Sequence, residues 1–383
     1  MKRAISVGSL EGRGVIELEN ASLLSPSFPR KDAPFVKDSP IDHECQNFSQ
    51  DVIRSKVLSS IKVVVFSTKI NLLMPFGPLA ILIDKLFHSH GWVFLFSLLG
   101  IIPLAERLGY TTEQLAFFTG PAVGGLLYAT FGNATELIIS IHALKSGLIR
   151  LVQQSLLGSI LSNLLLVLGC ALFAGGLVFH KREQVFNHAD AAVDFGLLLM
   201  ADKSFNEDTS NDAEVPEISM WESMIWISIL TGGISILSEY LVSTIEGASK
   251  EFQMPVAFLS VILLPLVGNA AEHVGSVMFA VKDKLDISLG VAVGSSIQIS
   301  MFVIPLCVVV GWMIECPMDL NFQPFETTSL FMSVIIVAFM LHNGTSNYFK
   351  GMVLILCYLI VSASFYEHID PMSIEDNPSI AGP

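Results

Sequence analysis

The sequence predicts an all-α polytopic membrane protein made of two related halves inserted in opposite directions. Three observations carry that prediction. Only 15% of the 383 residues are charged and 52% are hydrophobic, whereas a soluble domain carries about a quarter charged residues. Beyond Lys69 the chain is a succession of apolar runs separated by short polar joints, and a membrane helix needs ~20 such residues. Two of the runs hold a matching motif, FGNATELIIS from Phe131 and VGNAAEHVGS from Val267. The alternating polarity of a membrane barrel is absent.

Taken in order, residues 1–60 form a polar arm with mixed charge and Pro29, Pro34 and Pro40. The arm lacks a basic start followed by an apolar core and cleavage site, which argues against a secretory signal peptide. A soluble, partly disordered arm is expected. Residues 61–190 hold a leader helix and the first half. Residues 221–366 hold the second half, and 367–383 a tail. About nine full spans are expected, near 69–87, 91–108, 115–141, 151–179, 221–245, 255–281, 286–314, 327–342 and 349–366. One apolar segment falls short. Ala191 to Ala201 (AAVDFGLLLMA) stops after eleven residues, which as a helix cannot cross ~30 Å of hydrocarbon. Residues 191–220 therefore read as a truncated span followed by an acidic cytosolic linker. Its Glu207, Asp208, Asp212, Glu214 and Glu217 either attract cations to the surface or are simply solvated.

Lys and Arg favour the cytosolic side, which places the N-terminal arm there. The joints with Lys181 and Arg182, with Lys282 and Lys284, and with Lys350 then share that side, and the C-terminus lies across the membrane. Lys145 and Arg150 run against this bias. The net charge of −14 argues against a nucleic-acid partner, which would want a basic face. Cys45, Cys170, Cys307, Cys316 and Cys357 show no CxxC spacing, so no disulfide or zinc framework is expected.

The repeat extends beyond the two motifs. Gly132 and Gly268 lie 136 residues apart, as do Gly158 and Gly294 in LLGSILS and AVGSSIQ. Upstream, PLAERL with Glu106 faces ILSEYL with Glu239 at an offset of 133. Three matched elements in one order indicate duplication. The motifs fall in the third and sixth spans, so the halves are inverted, an arrangement that places a transport site near the midplane.

Glu136 and Glu272 sit inside apolar runs, where a carboxylate is costly and normally faces a cavity that serves ions or protons. A pair of them suits a hard divalent cation, which prefers oxygen ligands. The alternative is a protonated or snorkelling side chain that only packs. Asn133 and Asn269 precede the glutamates by three residues and share their helix face. Gly132 and Gly268, with Pro265 and Pro121 nearby, loosen the helix so that backbone carbonyls reach a cavity, or else allow close helix packing. Ser159, Ser295 and Gln298 offer further oxygens, with interhelical hydrogen bonding as an equal alternative. Asn163 is a weaker candidate, because its repeat partner is Ile299. His273 follows Glu272 on a different helix face and suits a proton path. Glu106 and Glu239 lie near span ends, as proton access points or as solvated end residues. His142 has no repeat partner and reads as a joint or packing residue.

These motifs resemble the plant cation/proton exchangers of the CAX type, within the calcium/cation antiporter superfamily. PFGPLAIL, PLAERLGYTTEQLAF, LLGSILSNLLLVLG and SNYFKG are similar to that family as well, and the resemblance runs from about residue 50 to 366. It implies an antiporter fold of eleven spans, a leader and five per repeat, so this chain is expected to lack part of the fifth span and all of the sixth. It implies export of cytosolic Ca²⁺, in some members Mn²⁺, into the vacuole in exchange for protons, with no cofactor and no enzymatic step. Glu136 and Glu272 would bind Ca²⁺ and H⁺ alternately. Backbone oxygens near Gly132 and Gly268, with Ser159, Ser295 and Gln298, would complete the sites. Glu106 and Glu239 would line proton access. The N-terminal arm resembles a regulatory extension. A Cys-Ala-Phe triplet accompanies Mn²⁺ transport in some members. Here it reads Cys170-Ala171-Leu172, which leaves Mn²⁺ open.

Two other readings stand beside exchange of Ca²⁺ for H⁺. One is a truncated, non-transporting form that associates with full-length exchangers. The other is a Na⁺-coupled exchanger. An intramembrane metalloenzyme is disfavoured, because the chain has no HExxH-type zinc motif.

Overall fold

The computed structural model describes residues 60–119, 121–180, 184–186 and 216–367. The N-terminal arm up to residue 59, the 191–201 segment, the linker as far as residue 215 and the tail from residue 368 lie outside the described residues.

Helices dominate. After a 3₁₀ turn at Lys69–Leu73, α1 spans Phe76–Phe87, α2 His90–Thr119, α3 Pro121–Phe131 and α4 Ala134–Lys145. Helix α5 (Ile149–Leu161) runs through a π segment, Ser162–Val167, into α6 (Leu168–Val178). In the second half α7 spans Met220–Phe252. A short α8 (Val256–Phe258), a π segment (Leu259–Leu263) and α9 (Leu264–Gly268) then lead to α10 (Ala270–Val281). Helix α11 (Leu285–Gln298) passes through a third π segment, Ile299–Val303, into α12 (Ile304–Met313). Helices α13 (Pro324–Leu341) and α14 (Tyr348–Glu367) close the chain. Strands β1 (Gln184–Val185) and β2 (Thr345–Ser346) pair antiparallel, Gln184 opposite Ser346 and Val185 opposite Thr345.

Local chemistry fixes the helix ends. Ser219 and Glu222 form a reciprocal capping box at the start of α7, satisfying two backbone N–H groups that lack helical partners. Gln253 ends the helix in the left-handed region, φ 55°. Near that end Glu251 accepts hydrogen bonds from Ser89 Oγ and from the backbone N–H groups of His90 and Gly91, at 3.1, 3.1 and 2.8 Å. One carboxylate thus caps α2 and ties it to α7. These two helices pack antiparallel along their length. Glycine permits a close approach of α1 to α2, since a Cβ on Gly100 would lie 2.7 Å from the backbone nitrogen of Gly77.

The two ends of the bundle can be told apart by their contacts. At one end Gln184 donates to the Ala280 carbonyl and to Asp283 Oδ1, at 3.1 and 2.9 Å. At the other Arg150 pairs with Glu326 at 2.5 Å, and Gln153 donates to Asp319 Oδ1 at 2.8 Å. The helix from Ile149 to Val178 connects them, and its 30 residues cover roughly 45 Å. Helix α4 runs toward the Arg150 end and α10 toward the Gln184 end. The motif helices therefore point in opposite directions, as an inverted repeat requires.

By length and composition, seven helices among the described residues are apolar and long enough to cross a membrane, or eight with the pair Val256–Gly268 and Ala270–Val281, which is bent by 55°. The third expected span, 115–141, is shifted and broken. Helix α2 continues to Thr119, and residues 121–145 form two helices of 11 and 12 residues. The thirty-residue α2 carries Pro103 inside it and runs on through the polar stretch Glu106–Gln114. Hydropathy alone divided the chain there, whereas the helix ends where Pro121 begins the next.

Candidate cation site

Both motifs fold as a helix broken one residue before the second segment. Asn133 takes φ −105°, ψ 21° and Asn269 takes φ −88°, ψ 15°, the sparsely populated bridge region where many functional residues sit. Each Asn precedes the first residue of its helix, so Glu136 and Glu272 both occupy the first turn. Backbone N–H groups and the helix dipole favour negative charge there. The local sequence thus provides a place for a carboxylate inside an apolar bundle.

The two breaks meet. A Cβ on Gly268 would lie 2.8 Å from Glu136 Oε1, so the glycine of one half makes room for the glutamate of the other. Gly268 lies four residues before Glu272, so this contact brings the two motifs together. Glu136 is buried at 7% exposure, while Glu272 is half-buried. Glu136 Oε1, Glu272 Oε2, Asn163 Oδ1 and Asn269 Oδ1 are all buried without a hydrogen-bond partner. Buried oxygens normally have partners. Two carboxylates and two amide oxygens left open in one region form a donor set of the hard-oxygen type that a divalent cation takes.

The surrounding polar groups hold this arrangement. Asn133 Nδ2 donates to Gln298 Oε1 at 2.7 Å, and Ser295 Oγ donates to Asn133 Oδ1 at 3.3 Å. Asn163 Nδ2 donates to Ser295 Oγ at 3.0 Å. Across the inversion, Asn269 Nδ2 donates to the Ser159 carbonyl at 3.3 Å. Asn133 is thus engaged on both sides of its amide, and Asn269 on one. A small cavity lined by Glu136, Ile139, Ser155, Ser159, Leu264, Pro265 and Gly268 adjoins the break, with about 10 Å³ open to a water centre, the room of about one water.

Gly132, Asn133, Glu136, Ser159, Gly268, Asn269, Glu272, Ser295 and Gln298 all lie at or beside the breaks. The expected proton residues are placed differently. His273 donates from Nδ1 to the Asn269 carbonyl at 2.7 Å, and its Nε2 is buried and unpaired. Glu106 forms an ion pair with its neighbour Arg107. Arg107 is itself buried, donates to Ser67 Oγ at 2.7 Å and stacks on Tyr110 at 4.9 Å. Glu239 is exposed on α7. No described hydrogen bond or ion pair joins Glu106 or Glu239 to the two glutamates. Glu217, expected in the solvated linker, accepts from Tyr110 Oη at 2.9 Å, and its backbone N–H donates to Gln114 at 2.9 Å. His142, read as a packing residue, bonds Ser235 Oγ at 2.9 Å.

Sequence reasoning ranked Asn163 low for want of a repeat partner, yet it belongs to the network. Ser155, Ile139 and Arg107 escaped notice altogether. Each carries no repeat of its chemistry, and recurrence was the signal being read. The π segments at Ser162–Val167 and Ile299–Val303 directly follow the site residues of α5 and α11. Such segments are frequent at functional sites.

Both halves of the chain match the model of the sodium/calcium exchanger protein family, over residues 89–229 and 222–366. Vacuolar cation/proton exchanger 5 of Arabidopsis thaliana is 53% identical over 418 aligned residues, covering 93% of this chain and 95% of the relative. Vacuolar cation/proton exchanger 3 of Oryza sativa subsp. japonica is 55% identical and covers 83% and 90%. The chain belongs to the vacuolar cation/proton exchanger (CAX) family. Among solved structures, native YfkE superposes on this exchanger with a TM-score of 0.66 at 34% identity, over 78% of this chain and 99% of YfkE. An H⁺/Ca²⁺ exchanger CAX, 11% identical, shares the fold at a TM-score of 0.57, over 77% and 91%. The alignment with the Arabidopsis exchanger is 418 positions long against 383 residues here, so at least 35 of its positions face no residue of this exchanger.

Proposed function

We propose that this exchanger moves cytosolic Ca²⁺ into the vacuole in exchange for protons, with Glu136 and Glu272 as the shared cation and proton site. The observation that carries the reading is the meeting of two broken helices with one carboxylate oxygen of each left buried and unpaired. The similarity to YfkE, a Ca²⁺/H⁺ antiporter, supports it. Two adjacent carboxylates repel when both are ionised, and either a divalent cation or two protons relieves that repulsion. Ca²⁺ and H⁺ then compete for one set of oxygens, which couples their movements once the site faces each side in turn. Asn269 and Asn163 add neutral oxygens. Asn133, Ser159, Ser295 and Gln298 orient them. The N-terminus is assigned to the cytosol and the C-terminus to the lumen, because Lys282, Lys284 and Lys350 cluster at the Gln184 end.

The test is proton-gradient-dependent ⁴⁵Ca²⁺ uptake into vacuolar vesicles of yeast lacking its own vacuolar calcium transporters, with and without residues 1–50. Uptake should collapse with a protonophore and should be abolished by Glu136→Gln and by Glu272→Gln. Uptake retained in either variant would sink the two-glutamate site. Replacing Na⁺ while the pH gradient is held constant separates Na⁺ coupling. A second reading rests on the positions absent relative to the family. In that reading the chain does not transport and associates with full-length exchangers. Co-purification with an intact exchanger, with no uptake by this chain alone, would select it.

A further inference from the structure

Helix α4 presents two different stripes. Glu136 and Ile139 line the cavity of the candidate site. Ala134, Ile138 and His142 recur every four residues and share another face. Ala134 and Ile138 pack in one apolar cluster with Ile227, Leu230 and Ile234 of α7 and with Leu108 and Leu115 of α2. His142 ends the stripe, and its Nε2 lies 2.9 Å from the Oγ of Ser235, the residue after Ile234. Apolar burial is non-directional, whereas a hydrogen bond fixes a distance and an angle. The surface between α4 and α7 is therefore apolar along the stripe and fastened by a polar clasp at its end. The clasp lies beyond the glutamate site, because α4 runs toward the Arg150 end and His142 is six residues past Glu136, roughly 9 Å along a helix.

The inverted repeat shows that the clasp is one-sided. Helix α10 packs on α2 as α4 packs on α7. With the offsets of 136 and 133, His142 corresponds to Met278 and Ser235 to Ile102. A thioether and an alkyl side chain form no such bond. Alternating access moves one bundle against another around the site, so a bond at one of two equivalent interfaces weights one end state over the other. The bond also has a titratable member, since imidazole changes charge between about pH 5 and 8. Glu239 stands one turn beyond Ser235, and the other charged residues of α7 are three or more turns from it. Lys145 is three residues beyond His142 on α4 itself. Arg150 of α5 is held by Glu326, and α3, α9 and α12 carry no charged residue. Cys307 of α12 is buried in the main core cluster.

We propose that His142 is a positioning residue of the exchange cycle, a clasp at the Arg150 end that holds α4 on α7 while neutral and releases it when protonated. The proposal rests on the exchange and the orientation argued above, in which this end faces the acidic lumen. The neutral imidazole and the Ser235 hydroxyl satisfy one another within a half-buried interface. An imidazolium there needs a counter-charge that a hydroxyl does not supply, and the carboxylate next along the facing helix belongs to Glu239. Protonation thus replaces a matched bond to Ser235 with an attraction directed past it, and frees the end of α4 from α7. Lumenal acid then opens the side on which Ca²⁺ is released and protons are taken up. A lumen that loses its acidity keeps the clasp shut and retains its Ca²⁺.

Two substitutions separate the clasp from packing. His142→Gln keeps a hydrogen-bonding side chain without the charge, and His142→Met, the residue of the other half, removes both. Exchange of ⁴⁵Ca²⁺ for Ca²⁺ is measured in vesicles with the same pH on both sides, which removes the driving force of a proton gradient. At about pH 7.5 His142→Met should exchange about fivefold faster than the native chain, the worth of one ordinary hydrogen bond, and at about pH 5.5 the two should converge. His142→Gln should match the native chain at the higher pH and fall about fivefold behind it at the lower. Ratios to the native chain that are the same at both pH values overturn the proposal, since packing alone does not titrate. A second measurement does not depend on transport. Ile138→Cys and Ile234→Cys, introduced together after replacement of the native cysteines, are joined by a short bifunctional thiol reagent at different lumenal pH. The yield relative to the same pair carrying His142→Gln, which cancels the titration of the thiols, should fall severalfold with lumenal acid. A relative yield that does not change, or that follows cytosolic pH alone, ends the proposal. A relative yield that falls with lumenal acid while Glu136→Gln and Glu272→Gln retain uptake keeps the clasp and rejects the two-glutamate site.

Discussion

At the scale of the residue, the site is made by what is left out as much as by what is present. Gly268 has no side chain where a Cβ would lie 2.8 Å from Glu136 Oε1. Gly268→Ala should push the carboxylate from its place while the helix break survives, since Asn269 follows with its own turn geometry. The expected result is an apparent Ca²⁺ affinity lowered about tenfold, the equivalent of ~1.4 kcal/mol, with normal abundance in the membrane. Unchanged affinity would show that Glu136 has room to move. Gly158 is a packing contrast. A Cβ there would lie 2.1 Å from the Val261 carbonyl oxygen, so Gly158→Ala should destabilise by about 1–3 kcal/mol through overpacking, read as a lower unfolding temperature in detergent. The sequence showed both glycines through the repeat but could not tell these roles apart, because small size reads the same whether the neighbour is a ligand or a backbone.

At the scale of the element, the fold was legible wherever apolar length and repetition agreed. The spans from Ile149, Met220, Leu285, Pro324 and Tyr348 fall close to their expected places. The stretch from 91 to 145 was not, since its polar middle belongs to one long helix and its motif to two short ones. The cross-links between halves were also hidden. Glu326 is buried at the start of α13, where it pairs with Arg150, accepts from Gln154 at 3.4 Å and caps the backbone of Gln323 at 3.0 Å. Nothing in sequence spacing links residues 176 positions apart. Glu326→Ala should leave Arg150 without its carboxylate. Breaking a buried pair costs about 3–5 kcal/mol, and because the Arg150 side chain is partly exposed the lower end is expected. Thermal unfolding of the solubilised protein checks this. A loss no larger than that of a surface substitution would mean that the pair is screened by water and that Gln153 and Asp319 hold the end together.

At the scale of the whole molecule, the two halves of the inverted repeat differ in how far their equivalent spans are covered. In the repeat-equivalent spans Ile149–Val178 and Leu285–Met313, 83% and 33% of an apolar 18-residue stretch is buried. The first is covered by α14 and α13, which pack on α6, on its π segment and on α5. By the pseudo-symmetry of the fold, the second would be covered by the helices that correspond to α13 and α14 in the first half, and no such helices occur among the described residues. Met301, Val309, Trp312 and Met313 are exposed on that flank. Lipid satisfies an apolar face, but it does not fix the position of a helix as a packed neighbour does. Helix α11 carries Ser295 and Gln298, so looseness in this span reaches the hydrogen bonds that orient Asn133. Replacing residues 187–215 with the corresponding stretch of the Arabidopsis relative should raise the unfolding temperature and sharpen Ca²⁺ affinity together. A higher unfolding temperature with unchanged affinity would show that the glutamate site is held by the two broken helices alone, independently of the helices around it.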